Sequence, residues 1–121
     1  MFNELSKQIY QANVEKGFYD EVKTISQVIN LIHSELSEVI EAGRKGRRCN
    51  SPAMLIGDYP PDNLFMTAYN YEIKGSVEEE LADVIIRLLD LCGWKEIDIH
   101  SHIKAKLKYN SLRPYKHGKI Y

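Results

Sequence analysis

The chain has 121 residues, 44% of them hydrophobic and 27% charged, with a formal net charge of −1. That length supports one domain, residues 1–121, around one core. The near-neutral charge carries no electrostatic footprint for a DNA or RNA polymer or an anionic membrane. No apolar stretch is long and uninterrupted enough to span a bilayer, and Met1-Phe2-Asn3-Glu4 lacks the basic-then-apolar pattern of a signal peptide, so a cytoplasmic protein is expected. Cys49 and Cys92 have no metal-ligand spacing; one disulfide can be drawn between them, but Cys92 sits in an apolar helical run and reads as buried packing.

Phe2, Leu5, Ile9 and Ala12 recur at helical spacing and predict a first helix, capped by Asn3 or Ser6 and ending near Gly17. Phe18 and Tyr19 follow in a connector, where they read as packing over the end of the bundle, with stacking on a base as the alternative. Thr24 opens a second helix. Its apolar face is Ile25, Val28, Ile29, Ile32, Leu36, Val39 and Ile40, and Gly43 ends it. Beside that face runs a row of Leu31, Glu35, Glu38 and Ala42. The acids alternate there with apolar residues, which places them at the margin of the core, facing another helix.

Residues 43–75 are an irregular insertion. The basic run Gly43 to Arg48 reads as a solvated turn at a helix C-terminus, where cations are favourable; a loop closing over a phosphate-rich ligand is the alternative. Pro52, Gly57, Pro60 and Pro61 argue against long regular structure. Tyr59, Phe65, Tyr69 and Tyr71 make the insertion aromatic, and it holds either a short helix or a strand pair.

Ser76 with Glu79 forms a capping-box pattern at the start of a third helix. Leu81, Val84, Ile85, Leu88, Leu89 and Cys92 form one apolar face, and Ala82 and Ile86 extend it most of the way round. The remaining stripe is Glu80, Asp83, Arg87 and Asp90, and Gly93 ends the helix. Asp98 caps a last helix with Ile99, Ile103 and Leu107 facing the core. A second row there holds His102, Lys106, Asn110 and Arg113, before Pro114 and a basic tail that is exposed or wrapped on a partner chain. The expected fold is all-α, a four-helix bundle with the insertion between its second and third helices.

Glu35-Leu36-Ser37-Glu38 and Glu80-Leu81-Ala82-Asp83 each put two carboxylates on one helical face. One such pair is commonplace on a solvated helix. Two pairs on the two most apolar helices bring four carboxylates around one point, where repulsion and burial are costly unless a hard cation is held. The all-oxygen set fits Mg²⁺, with Mn²⁺ as a substitute. A di-iron carboxylate centre wants Glu-x-x-His pairs, and none occurs. Lys106 as a point charge, Asn110 as a donor and Arg113 as a bidentate donor would bind phosphate along one helical line roughly 10 Å long, at about 1.5 Å rise per residue.

The segments His33 to Ala42, Glu79 to Arg87 and Lys106 to Lys119 together resemble the MazG-like family, part of the all-α nucleoside triphosphate pyrophosphohydrolase superfamily. The resemblance covers three helices and the tail and largely omits the insertion. It implies Mg²⁺-dependent cleavage of a (deoxy)nucleoside triphosphate to monophosphate and pyrophosphate, in a homodimer or homotetramer whose sites are built from several chains. Metal roles carry over to Glu35, Glu38, Glu80 and Asp83, and phosphate roles to Lys106, Asn110 and Arg113. The family motif often begins with two adjacent acids; here Ser34 precedes Glu35, which removes one ligand or base.

The chemistry then expected is in-line attack of water on the α-phosphorus. Glu35 or Glu38 orients or deprotonates the water, and Lys106 and Arg113 offset charge on the departing oxygens. The alternatives are a non-catalytic helical protein of the same fold that binds nucleotide or a partner, and a structural bundle whose acids are a solvated face. No residue pattern distinguishes purine from pyrimidine, or ribose from deoxyribose.

Overall fold

The computed structural model describes residues 1–49 and 59–114. They form five helices: α1 (Phe2–Glu15), α2 (Ile25–Arg44), α3 (Asp62–Glu72), α4 (Val77–Trp94) and α5 (Ile99–Ser111). No strand occurs among the described residues, so the all-α expectation holds. Among the described residues of the insertion there is one helix, α3, entered through Pro61 with Asp62 in its first turn, where a carboxylate suits the helix dipole. Pro52 and Gly57 lie outside the described residues, as does the basic tail from Tyr115. The described residues gather into two compact units. One is built from residues 1–22 and from residue 89 onward, the other from residues between 23 and 88.

In the first unit, α1 meets the end of α4 at close range. Ser6 is buried and its hydroxyl donates to the Leu89 carbonyl at 2.5 Å. A Cβ on Gly93 would lie 2.6 Å from the Ser6 carbonyl oxygen and 2.7 Å from the Tyr10 Cβ. Gly93 therefore does not stop the helix as its type predicts. It lies inside α4, and its missing side chain lets the two helices approach. Tyr19 packs edge-on against Tyr10 at 4.8 Å, lies 5.7 Å from Trp94, and donates its hydroxyl to Asp90 at 2.8 Å. It is packing, as the first of its two readings expects. Phe18 stays exposed.

Asp98 caps α5, accepting from the Ser101 N–H at 3.2 Å. Neither Asn3 nor Ser6 caps α1, which begins before them at Phe2. Their side chains have tertiary partners instead: Asn3 donates to Asp98 at 2.7 Å and accepts from the His100 N–H at 3.2 Å, tying α1 to the start of α5.

In the second unit, Thr24 and Gln27 form a reciprocal capping box that opens α2. The helix runs through Gly43 to Arg44, and the left-handed turn falls at Gly46 (φ +65°). Val28, Ile32 and Ala42 of α2 and Val84 of α4 are buried. Much of the predicted apolar surface is not: Ile25, Leu36 and Ile40 of α2, with Leu81, Ile85, Ile86 and Leu88 of α4, remain exposed. The basic run behaves as a brace. The Arg47 side chain donates to the Lys74 carbonyl at 2.7 Å, its own carbonyl accepts from the Val77 N–H at 2.8 Å, and Arg48 pairs with Glu78. Cys49 and Cys92 are buried thiols with no bond between them. Among the described residues no helix is long and apolar enough to cross a membrane.

Candidate functional site

α2 supplies Glu35 and Glu38, and α4 supplies Glu80 and Asp83. Within the unit of residues 23–88, one oxygen from each of Glu35, Glu80 and Asp83 lies within 4.8 Å of the others, and all three residues are half-buried. Glu38 stands outside this group. Its side chain is exposed, yet its charge still reaches Glu80. Residues three apart differ by about 60° around a helix. That angle lets Glu35 face α4 while Glu38 turns toward solvent, so three carboxylates converge where four are expected.

The cluster is electrostatically uncomfortable. Burial raises the Glu80 carboxyl above its ordinary range, and the charges of Asp83, Glu79, Glu38 and Glu35 raise it further. Burial also raises Asp83, helped by Glu35 and Glu79 and opposed by Arg87 and Lys74. Arg87, one turn beyond Asp83, donates from Nε to Glu35 at 2.9 Å and offsets part of this charge. An oxygen-only donor set with raised carboxyls fits a hard divalent cation such as Mg²⁺ or Mn²⁺, which would stabilise the charged forms.

The two preceding acids are differently placed. Glu79 is buried, which works against its charge. The Tyr69 hydroxyl at 2.5 Å and the Gly75 N–H at 2.8 Å nevertheless hold its carboxyl below the usual range. Ser76 completes the predicted cap by accepting from the Glu79 N–H at 3.1 Å, while Glu79 reaches Gly75 rather than Ser76. Glu78 is held low by Arg48 and by the Cys49 N–H. Donors therefore occupy Glu78 and Glu79, whereas Glu80 and Asp83 chiefly face other carboxylates.

Lys106, Asn110 and Arg113 belong to the other unit. α5 ends at Ser111, so the predicted helical line stops at Asn110 and Arg113 lies beyond it. Pro114 is the cause, since the residue before a proline is pushed out of helical geometry. The Lys106 ammonium stands 4.7 Å from the centre of the Tyr109 ring, and the Arg113 guanidinium 5.7 Å from it. Both cations thus converge on one aromatic ring.

Compared with protein-family models, curated proteins and solved structures, the chain matches none of them.

Two residues acquire roles that spacing alone does not reveal. Arg87 is visible as the cation on the acidic stripe of α4, but its choice of Glu35 depends on how α2 packs. Tyr69 is one of several aromatics in the insertion, and only the folded register of α3 brings its hydroxyl to Glu79.

Proposed function

We propose that the protein is a Mg²⁺-dependent nucleoside triphosphate pyrophosphohydrolase of MazG-like type, yielding a nucleoside monophosphate and pyrophosphate. The observation that carries the proposal is the convergence of Glu35, Glu80 and Asp83, two of them with raised carboxyls. These three would hold the cation. When bound, Mg²⁺ supplies positive charge against the polyphosphate and makes water a better nucleophile.

The chain's own residues divide the remaining work. Arg87 fixes Glu35 in place within the cluster. Glu38, exposed and with its charge reaching Glu80, would be the carboxylate that orients an attacking water and takes its proton. Lys106, Asn110 and Arg113 keep the phosphate-binding role that the family resemblance implies. The exposed apolar residues Leu36, Ile40, Leu81, Ile85 and Leu88 support a homodimer or homotetramer, because water contact on so many large side chains is unfavourable. Sedimentation at micromolar concentration is expected to show more than one chain per particle, and an active monomer would refute the assembly.

The second reading is non-catalytic binding of nucleotide or a partner by the same fold. The Glu35–Arg87 ion pair favours it, since that pair offsets one carboxylate without any metal. Pyrophosphate release from a panel of canonical and modified triphosphates, with and without Mg²⁺, separates the two. Metal-dependent release of pyrophosphate supports the enzyme; binding without release across the panel supports the alternative.

A further inference from the structure

The arginine beside the acids neutralises less than it could. Arg87 and Asp83 stand four apart on α4, the spacing at which an acid and a base commonly pair along one helix. Among the described residues no ion pair joins them, and Arg87 reaches across to Glu35 of α2 instead. The bond across is single. Nε donates to Oε1 of Glu35 at 2.9 Å, while among the described residues neither Nη group donates a hydrogen bond and Oε2 of Glu35 accepts none. Arginine often meets a carboxylate with two parallel bonds, one to each oxygen. Here one oxygen of Glu35 and both Nη groups are left open.

The pair is also lopsided. The Glu35 side chain is 19% exposed and that of Arg87 42%, so the acid end is covered and the guanidinium end is open to solvent. A guanidinium is rigid and planar, so anchoring Nε also sets the direction of both Nη groups. Within the unit of residues 23–88, the charges that oppose the raised Asp83 carboxyl are those of Arg87 and Lys74. Lys74 is a point charge on a flexible stem; Arg87 is anchored one turn from Asp83.

We propose that Arg87 is a phosphate-binding residue of this site: its Nε anchors Glu35, and its Nη groups donate to a polyphosphate oxygen beside the cation. The proposal rests on Glu35, Glu80 and Asp83 holding that cation. A cation on the carboxylates and an arginine at their edge give one polyphosphate two positive partners, and its oxygens suffice for both. Oε2 of Glu35 is left for the cation, so Arg87 and the cation share Glu35 without contending for one oxygen.

The test titrates Mg²⁺ alone, and inorganic tripolyphosphate as its Mg²⁺ complex, into the parent, Arg87→Gln, Arg87→Lys and Lys74→Gln by calorimetry. Circular dichroism checks that each variant is helical. Arg87→Gln is expected to weaken tripolyphosphate about tenfold or more, the scale of a lost charged hydrogen bond. Mg²⁺ alone should bind it as tightly as the parent or tighter, because a positive charge beside the site is gone. Arg87→Lys keeps a charge next to Glu35 and guards against loss of the fold. Its ammonium lacks the fork, so tripolyphosphate should weaken there too, by less. Lys74→Gln should leave tripolyphosphate affinity near parental. Parental tripolyphosphate affinity in both Arg87 variants overturns the proposal. So does an equal loss of Mg²⁺ and tripolyphosphate affinity, which would make Arg87 only a prop for Glu35. A parent that binds no Mg²⁺ overturns the cation site and this proposal together. A parent that shows the Arg87 effect but releases no pyrophosphate supports the phosphate contact and overturns the hydrolase alone.

Discussion

In the unit of α1 and α5, Asp98 accepts hydrogen bonds from Asn3 and Ser101, which pull its carboxyl down to about 2. In the unit of α2 and α3, Asp83 is half-buried, and burial with the charges of Glu35 and Glu79 pushes its carboxyl up. The residue type is the same and the surroundings are opposite. Around Asp98, polar side chains find donors and draw helices together. Around Asp83, acids are gathered against their own repulsion, the setting in which the proposed cation would stabilise their charged forms. Under the proposed function, the difference separates a carboxylate that holds the structure from one that would hold a cation.

The largest effect expected is on turnover. Glu38→Gln should lower kcat about a hundredfold or more, the usual scale for a lost general base, while Mg²⁺ still raises the unfolding temperature as in the parent. Retention of near-parental kcat would return the water-activating role to Glu35. Asp83→Asn should cost about tenfold to a hundredfold in cation affinity and remove the Mg²⁺-induced rise in unfolding temperature. Its metal-free form should gain stability, with the following sign. The folded carboxyl is raised, so its charged form is penalised at neutral pH, and a neutral amide escapes that penalty. A metal-free variant less stable than the parent would place Asp83 among the structural acids.

The contrast can also be broken from the other side. A glycine-to-alanine change within a helix normally stabilises by about 1 kcal/mol. Gly93→Ala should do the reverse, costing about 1–3 kcal/mol, because the new Cβ meets the Ser6 backbone at 2.6 Å. Chemical denaturation measures the loss, and a stabilised variant would show that α1 can retreat. Mg²⁺-induced stabilisation should survive this change, since Gly93 belongs to the unit without the acidic cluster.

The smallest effect is a pH dependence. The folded carboxyl of Asp98 is depressed, so its contribution is fully present above the unfolded value of about 4. It is lost as pH falls through the folded value of about 2. Asp98→Asn keeps a capping side chain but cannot titrate, so the parent's stability should decline more steeply than the variant's across that window. Parallel declines would mean that Asp98 is not what titrates there.

Periodicity and end signals made most of the helices legible before any tertiary contact. Thr24, Ser76 and Asp98 each cap through bonds spanning three or four residues, and such local chemistry is written in adjacent letters. The acidic pairs were legible for the same reason, because a spacing of three on a helix sets a shared face. The register between helices was not. Whether Glu38 or Glu35 faces α4, which acid Arg87 takes, and that Gly93 marks a close approach rather than an end all depend on packing between distant segments. The insertion shows the limit best. Its aromatics were countable in the sequence, but three prolines and few apolar repeats left helix and strand equally open. The order Tyr59, Phe65, Tyr69 becomes a wall, and Tyr69 a partner of Glu79, only once α3 lies against the start of α4. Local hydrogen bonds and spacing decide elements; burial and electrostatic environment arise between elements, and those decided which carboxylates meet donors and which chiefly face one another.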